Sequence, residues 1–314
     1  MAGGRRMGWL GWTLTGAAVL GLAGIGVWQW AVRSGSAAPL NWLDAAFPRD
    51  TKVRQVAEAR YGPDPAQRLE LWMPEGSRGP YPLIVFYYGG GWHTGVPENY
   101  RFVARTLGEQ GFATALVGYR LVPDGRFPAM LEDSAAGLGW LYRNAGRYGV
   151  AADRAVLAGH SAGAYNAVML ALDPEWLRRA GVPQEMVAGA VGLAGPYDFY
   201  PFTTDSARAA LGHVQPPERT QPIRFARGDA PPLLLMTGAE DDVVKPRNSV
   251  ALAGAINAAG GEAEVVSLAG MSHAGIIMAL SRPFRDDAVL DPLVVFAHAR
   301  LARPTSGAVQ GGVR

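Results

Sequence analysis

Gly159-His160-Ser161-Ala162-Gly163 follows a short apolar run, Ala155-Val156-Leu157, and precedes a helical pattern containing Ala167, Val168, Leu170 and Ala171. A serine so placed can act as a nucleophile. A sharp strand-to-helix turn exposes its hydroxyl, and the flanking glycines keep side chains out of crowded neighbours. The helix N-terminus behind it favours developing negative charge and directs the Ala162 N–H at an oxyanion. An ordinary glycine-rich turn with a capping serine has the same local sequence, so partners elsewhere must decide.

One partner is Gly89-Gly90-Gly91-Trp92, directly after the apolar run Leu83 to Tyr87. Three successive glycines forfeit backbone entropy and pack no core, which suggests a loop whose N–H groups approach a ligand closely. Gly90, Gly91 and Ala162 are the expected oxyanion donors, with Gly89 as the alternate.

A serine nucleophile also needs a base. Of five histidines, His160 neighbours the serine and should point away from it, His298 lies in a terminal helical run, His93 follows the glycines and His213 sits in a proline-rich insertion. His273 remains, in a loop after the last expected strand, where its side chain can swing back over the sheet edge. Its other nitrogen requires an orienting carboxylate. Leu233 to Asp242 offers Glu240, Asp241 and Asp242 just beyond a buried strand; Asp241 is preferred, and its two neighbours remain alternatives. This chemistry needs neither metal nor organic cofactor.

Positioning these groups requires strands that end at the same edge. Apolar runs predict strands at Val53 to Tyr61, Leu69 to Met73, Leu83 to Tyr87, Ala113 to Val117, Ala155 to Leu157, Val187 to Leu193, Leu233 to Thr237 and Glu264 to Leu268. Helical periodicity falls at Asn99 to Gln110, Ala129 to Tyr148, Ala162 to Ala171, Arg247 to Ala259 and Ala288 to Leu301. Strand and helix in alternation imply an α/β fold: a mostly parallel eight-stranded sheet with helices on both faces. With 314 residues, 49% of them hydrophobic, the chain can bury one sizeable core, expected over residues 51–302. The absence of cysteine excludes disulfides, thiolate metal sites and a cysteine nucleophile. A net charge of +2 from scattered basic residues gives no footprint for nucleic acid.

Ahead of that domain, Met7 to Val32 carries no charge, bears Trp9, Trp12, Trp28 and Trp30 near its ends, and follows Arg5-Arg6. About 20 helical residues span a bilayer core, and tryptophans favour its interfaces. One N-terminal transmembrane helix, an anchor over residues 1–33, is therefore expected. The arginine pair places the N-terminus on the cytoplasmic side and the domain in the periplasm or another extracytoplasmic space. A cleaved signal peptide is the rival reading, but its apolar core would span about 7 to 15 residues. Residues 34–50 read as a tether because of Pro39, Pro48 and small polar residues, and residues 303–314 as a disordered tail.

From about Tyr61 to His273 the chain resembles α/β-hydrolase esterases of the hormone-sensitive-lipase and bacterial feruloyl-esterase-like group. The matches are Tyr61-Gly62-Pro63-Asp64 leading to Leu69-Glu70-Leu71-Trp72-Met73-Pro74, the Gly-Gly-Gly-Trp loop, Tyr119-Arg120-Leu121, Phe127-Pro128-Ala129 with Glu132-Asp133, and the serine pentapeptide. The resemblance implies the α/β-hydrolase fold, a Ser161-His273-Asp241 triad in the usual chain order, and oxyanion donors on the second and third loop glycines. It also supports Asp241 through the Gly238-x-x-Asp241-x-x-Val244 register. Tyr88 departs from the histidine that relatives carry before the glycines, so that loop must be anchored differently; Ala164 replaces a frequent second glycine.

The expected activity is carboxylesterase-like cleavage of small to medium esters through an acyl-enzyme. Tyr197 to Asp229, with Phe199, Tyr200 and Phe202, is expected to cover the pocket. Amide or formamide hydrolysis of the kynurenine-formamidase type is the alternative. A membrane-tethered binding protein that kept the fold without catalysis is the rival of another class, and a cytoplasmic domain is the rival topology.

Overall fold

The structure, a computed structural model, describes residues 37–49, 51–76 and 79–302. Its strands are β1 (Val53–Arg60), β2 (Arg68–Pro74), β3 (Tyr81–Tyr87), β4 (Ala113–Val117), β5 (Val150–His160), β6 (Val187–Leu193), β7 (Leu233–Gly238) and β8 (Ala263–Leu268). They form one sheet in the order β1-β2-β4-β3-β5-β6-β7-β8. β2 pairs antiparallel with β1 and β4, and every other pair is parallel.

Burial explains which sequences serve where. Every residue from Leu83 to Tyr87 and from Val187 to Leu193 is buried. Successive side chains point to opposite faces, so both faces of these central strands must be covered. The edge strand β1 keeps partial exposure along its length, and its Arg54, Glu58 and Arg60 are exposed.

Nine α-helices lie among the described residues: α1 (Ala38–Ala45), α2 (Arg101–Glu109), α3 (Ala129–Asn144), α4 (Ala162–Leu172), α5 (Pro174–Arg179), α6 (Asp205–Leu211), α7 (Arg247–Ala258), α8 (His273–Met278) and α9 (Asp287–Leu301). α4 is buried along its whole length against β5 and β6. The parallel register sets Tyr87 beside Gly159, and Gly159 beside Gly192. The C-terminal ends of β3, β5, β7 and β8 therefore share one edge, where α/β sheets place their sites.

Two expectations change. Part of the supposed tether is α1, docked on the domain through buried Leu40 and Asp44. Pro39 reads as a loop signal, yet it stands in the first helical turn, where its missing N–H costs nothing. His273 does not sit within a loop: it opens α8, capped by the Ser272 hydroxyl, which accepts from the Gly275 N–H at 3.2 Å. The expected membrane helix and the expected tail lie outside the described residues. Among the described residues, no helix is long and apolar enough to cross a membrane.

Candidate functional site

β5 ends at His160, and the chain then turns at Ser161 with φ 54° and ψ −118° before α4 begins. Such a backbone costs of order 1–3 kcal/mol and persists only where its surroundings impose it. Here they do. The Ser161 N–H donates to Leu193 O at 2.8 Å, locking the turn to β6. A Cβ on Gly159 would stand 2.3 Å from Gly163 O, and one on Gly163 would stand 2.1 Å from Tyr87 O. Both motif glycines are therefore steric requirements of the turn.

His273 Nε2 lies 3.0 Å from Ser161 Oγ, and His273 Nδ1 lies 2.8 Å from Asp241 Oδ2. A carboxylate accepts, so the imidazole proton sits on Nδ1 and leaves Nε2 free to accept the serine proton. The Asp241 side chain is fully buried. Its Oδ1 accepts from the N–H groups of Val243 (3.0 Å) and Val244 (2.8 Å), which fixes the carboxylate plane. The loops after β7 and β8 are joined by their backbones: Ala239 N–H donates to Leu268 O at 2.9 Å and Glu240 N–H to Met271 O at 3.1 Å. Gly238 makes this approach possible, since a Cβ there would meet Met271 O at 2.1 Å. Glu240 and Asp242 are exposed, so of the three acids only Asp241 reaches the histidine.

The glycine loop is a tight turn. Gly90 (φ 130°) accepts through its carbonyl from the His93 and Thr94 N–H groups, both at 3.1 Å, and a Cβ on Gly90 would collide with Thr94 O at 2.1 Å. The Gly89 N–H points at Tyr100 Oη, 3.3 Å away. The N–H groups of Gly90 and Gly91 donate to no acceptor among the described residues. Gly90, Gly91 and Ala162 line one cavity with Ser161 and His273. Trp92 anchors the turn beneath: its Nε1–H donates to Asn166 Oδ1 at 3.2 Å and its ring meets Tyr165 edge-on at 5.2 Å.

Tyr88, the departure before the glycines, is held by a reciprocal pair. Its hydroxyl donates to Tyr119 O at 3.1 Å, Tyr119 Oη donates to Tyr88 O at 2.7 Å, and the rings stack at 4.5 Å. Arg120 and Asp133 serve the frame: Asp133 accepts from Arg120 Nε and Nη2, each at 2.8 Å, and from Gln67 Nε2 at 2.6 Å.

His160 lines the same cavity as Ser161, its ring 5.0 Å from that of His273, and it has a part that the sequence did not suggest. Its Nε2 lies 3.1 Å from the carbonyl oxygen of His273; a carbonyl only accepts, so Nε2 carries the proton. Burial, and next the neighbouring His273, push the His160 imidazole from 6.5 down to about 3. Between those values the unfolded chain binds a proton that the folded chain refuses. This contribution to stability is therefore complete above about pH 6.5 and declines as pH falls through that window. His160→Gln keeps an N–H donor and cannot be protonated near neutrality, so urea midpoints measured from pH 7 to pH 4 should fall less steeply than in the native chain. An identical slope would assign the acid sensitivity to other groups.

The cavity over Ser161 measures about 420 Å³. The insertion after β6 contributes Phe199, Pro201 and Thr204 as expected, whereas Tyr200 is turned outward and Phe202 packs on Phe199. Contributors not anticipated include the start of α1, Ile277 and Met278 of α8, and Val243, Val244, Lys245 and Arg247 beyond the acid loop. For residues 243–247, nearness to Asp241 in sequence was the available signal. Among the described residues no group of His, Asp and Glu could hold a metal ion.

An arrangement of this kind can move a hydroxyl proton to an imidazole while N–H groups receive charge on an attacked carbonyl oxygen. Isoprenylcysteine alpha-carbonyl methylesterase of Arabidopsis thaliana is 26% identical over 262 residues, covering 76% of this chain and 61% of that protein. Kynurenine formamidase of Danio rerio is 28% identical over 194 residues, covering 60% and 62%. The chain thus spans about six-tenths of the length of these curated relatives. Esterase B of Lactobacillus rhamnosis superposes with a TM-score of 0.70 at 22% identity, over 90% of this chain and 94% of that one, a likeness of fold. Residues 69–256 match the BD-FAE family, a stretch that contains the glycine loop, the serine turn and Asp241. The chain therefore belongs to the BD-FAE family and carries the α/β-hydrolase fold of the esterases it resembles.

Proposed function

We propose that this protein is a serine hydrolase that cleaves carboxylic esters through an acyl-enzyme. The observation that carries this reading is the continuous relay from Asp241 Oδ2 to His273 Nδ1 (2.8 Å) and from His273 Nε2 to Ser161 Oγ (3.0 Å), opening into the cavity. Ser161 Oγ attacks the carbonyl carbon as His273 Nε2 takes its proton. The carbonyl oxygen, now negative, receives the N–H groups of Gly90, Gly91 and Ala162. Collapse of the tetrahedral adduct expels the alcohol, which takes the proton from His273. Water activated by the same imidazole then releases the acid and restores the serine.

Phe199, Pro201 and Ile277 give the cavity apolar surface that suits an ester with small to medium groups. Cleavage of an amide or formamide is the second reading, supported by the likeness to the Danio rerio kynurenine formamidase. A panel of p-nitrophenyl esters of increasing acyl length, run beside N-formylkynurenine, tests both. Turnover of the esters is expected to exceed that of the formamide. The reverse order would favour the second reading, and turnover of none would leave a binding protein. We place the uncharged run 7–32 as the membrane anchor, with the hydrolase domain on the extracytoplasmic side.

A further inference from the structure

The wall of the cavity includes an element that the reaction does not require. Ala37, Pro39 and Leu40, at the start of α1, line the cavity that holds Ser161. Leu40 and Asp44 face the domain; Trp42, two positions from each, points the other way, because two helical residues turn about 200°. Trp42 is 69% exposed, and Leu43 and Phe47 are exposed close behind it. A single exposed apolar side chain is ordinary. Three large apolar side chains exposed within six residues, on and just after a helix that walls the cavity, call for a partner.

α1 is held rigidly. Asp44, without exposure, accepts from Arg49, from Arg105 Nε at 2.7 Å and from the Arg282 N–H at 2.8 Å. Glu109 gathers Arg49, Arg282 and Arg285 at 3.0, 2.8 and 2.6 Å. Displacing α1 would strand these buried charges, so the point at which the chain reaches the cavity rim is fixed.

The chain preceding that point indicates the occupant. Residues 7–32 carry no charge, and only residues 33–36 separate them from Ala37. Five peptide steps reach at most about 18 Å. The cavity lining also carries exposed Val243, Lys245 and Arg247, the last 3.6 Å from Asp198. Exposed apolar side chains on the helix that walls the cavity, and cations on the cavity lining, match the acyl boundary and headgroups of an anionic leaflet.

We infer that Trp42, Leu43 and Phe47 seat the cavity rim on an anionic lipid bilayer, so that the ester enters from the membrane surface. Docking rests on the exposed side chains of residues 42–47 and on the anchor reading of residues 7–32; delivery of an ester rests on the hydrolase reading above.

Because the chain has no cysteine, Trp42→Cys provides one thiol for a nitrobenzoxadiazole label. Val295→Cys, exposed on α9 and not part of the cavity lining, is the control. The full chain is reconstituted in phosphatidylcholine–phosphatidylglycerol vesicles with or without doxyl-labelled lipid. Fluorescence at position 42 should drop about twofold or more with the doxyl lipid, and that at position 295 should not change. No quenching at 42, or equal quenching at both, overturns the docking. In unlabelled vesicles the triple variant Trp42→Ser, Leu43→Ser, Phe47→Ser should lose about tenfold in hydrolysis of a bilayer-embedded fluorogenic ester and keep its rate on a water-soluble one. An unchanged ratio of the two rates overturns delivery from the membrane. Quenching at 42 with neither ester turned over by the native chain would uphold the docking and overturn the hydrolase reading.

Discussion

Ser161→Ala should lose all labelling by a fluorophosphonate and lower ester turnover by about 10⁴- to 10⁶-fold. The fluorophosphonate reports the hydroxyl itself, because its phosphorus is captured by an activated oxygen and by nothing an alanine can offer. The residual rate should stay above that of water, since Gly90, Gly91 and Ala162 still line the cavity and can receive charge on a carbonyl attacked by water. The fold should persist: the turn at Ser161 is held by its own N–H on Leu193 O and by the glycines at 159 and 163, none of which involves the hydroxyl. Native-like melting with labelling absent is thus the informative pair. Equal labelling of native chain and variant would move the nucleophile elsewhere and return Ser161 to a capping role.

The frame of this site was legible because its central strands are written as apolar runs in alternation with helical patterns, although β5 extends over Val150–His160, well beyond its apolar run. Ala113 to Val117 and Val187 to Leu193 form strands with the bounds that their sequences suggest, each residue buried. Short elements were not legible. α5 and α6 run six and seven residues, too few for an apolar stripe to repeat, and their ends are set by the Asp173 and Thr204 caps. α1 was obscured for another reason. Its docking depends on Asp44 meeting Arg105 and the Arg282 N–H, contacts spanning 61 and 238 positions that no local pattern announces. The same holds for His160, whose partner is the carbonyl of a residue 113 positions away. At the glycine loop the sequence pointed to Gly90 and Gly91 with Gly89 as the alternate; Tyr100, marked by no local signal, engages the Gly89 N–H.

Of three neighbouring acids, Asp241, the one preferred from the sequence, is also the one that is buried and bonded to His273, which makes Asp241→Asn the sharper test of the relay. Asp241 Oδ1 is committed to the Val243 and Val244 N–H groups, so an asparagine at 241 must keep its carbonyl oxygen there and turn its amide NH₂ toward His273. Nδ1 would then face a donor and could only accept. The imidazole proton would move to Nε2, the atom 3.0 Å from Ser161 Oγ, and the base would reach the hydroxyl already occupied. Turnover should fall by about 10⁴-fold through this tautomer exchange, with substrate binding little altered. The opposite flip restores Nδ1–H but sets NH₂ against two backbone N–H groups in a buried site, at a cost of about 1–3 kcal/mol for each unsatisfied donor. Asp242→Asn, at an exposed neighbour, should leave the rate essentially unchanged. Kinetics of the two variants at one pH, with kcat separated from KM, distinguish these cases. Comparable losses from both would deny Asp241 its place behind His273, whereas a large loss confined to position 241 and expressed in kcat follows from a carboxylate whose geometry permits only one asparagine orientation.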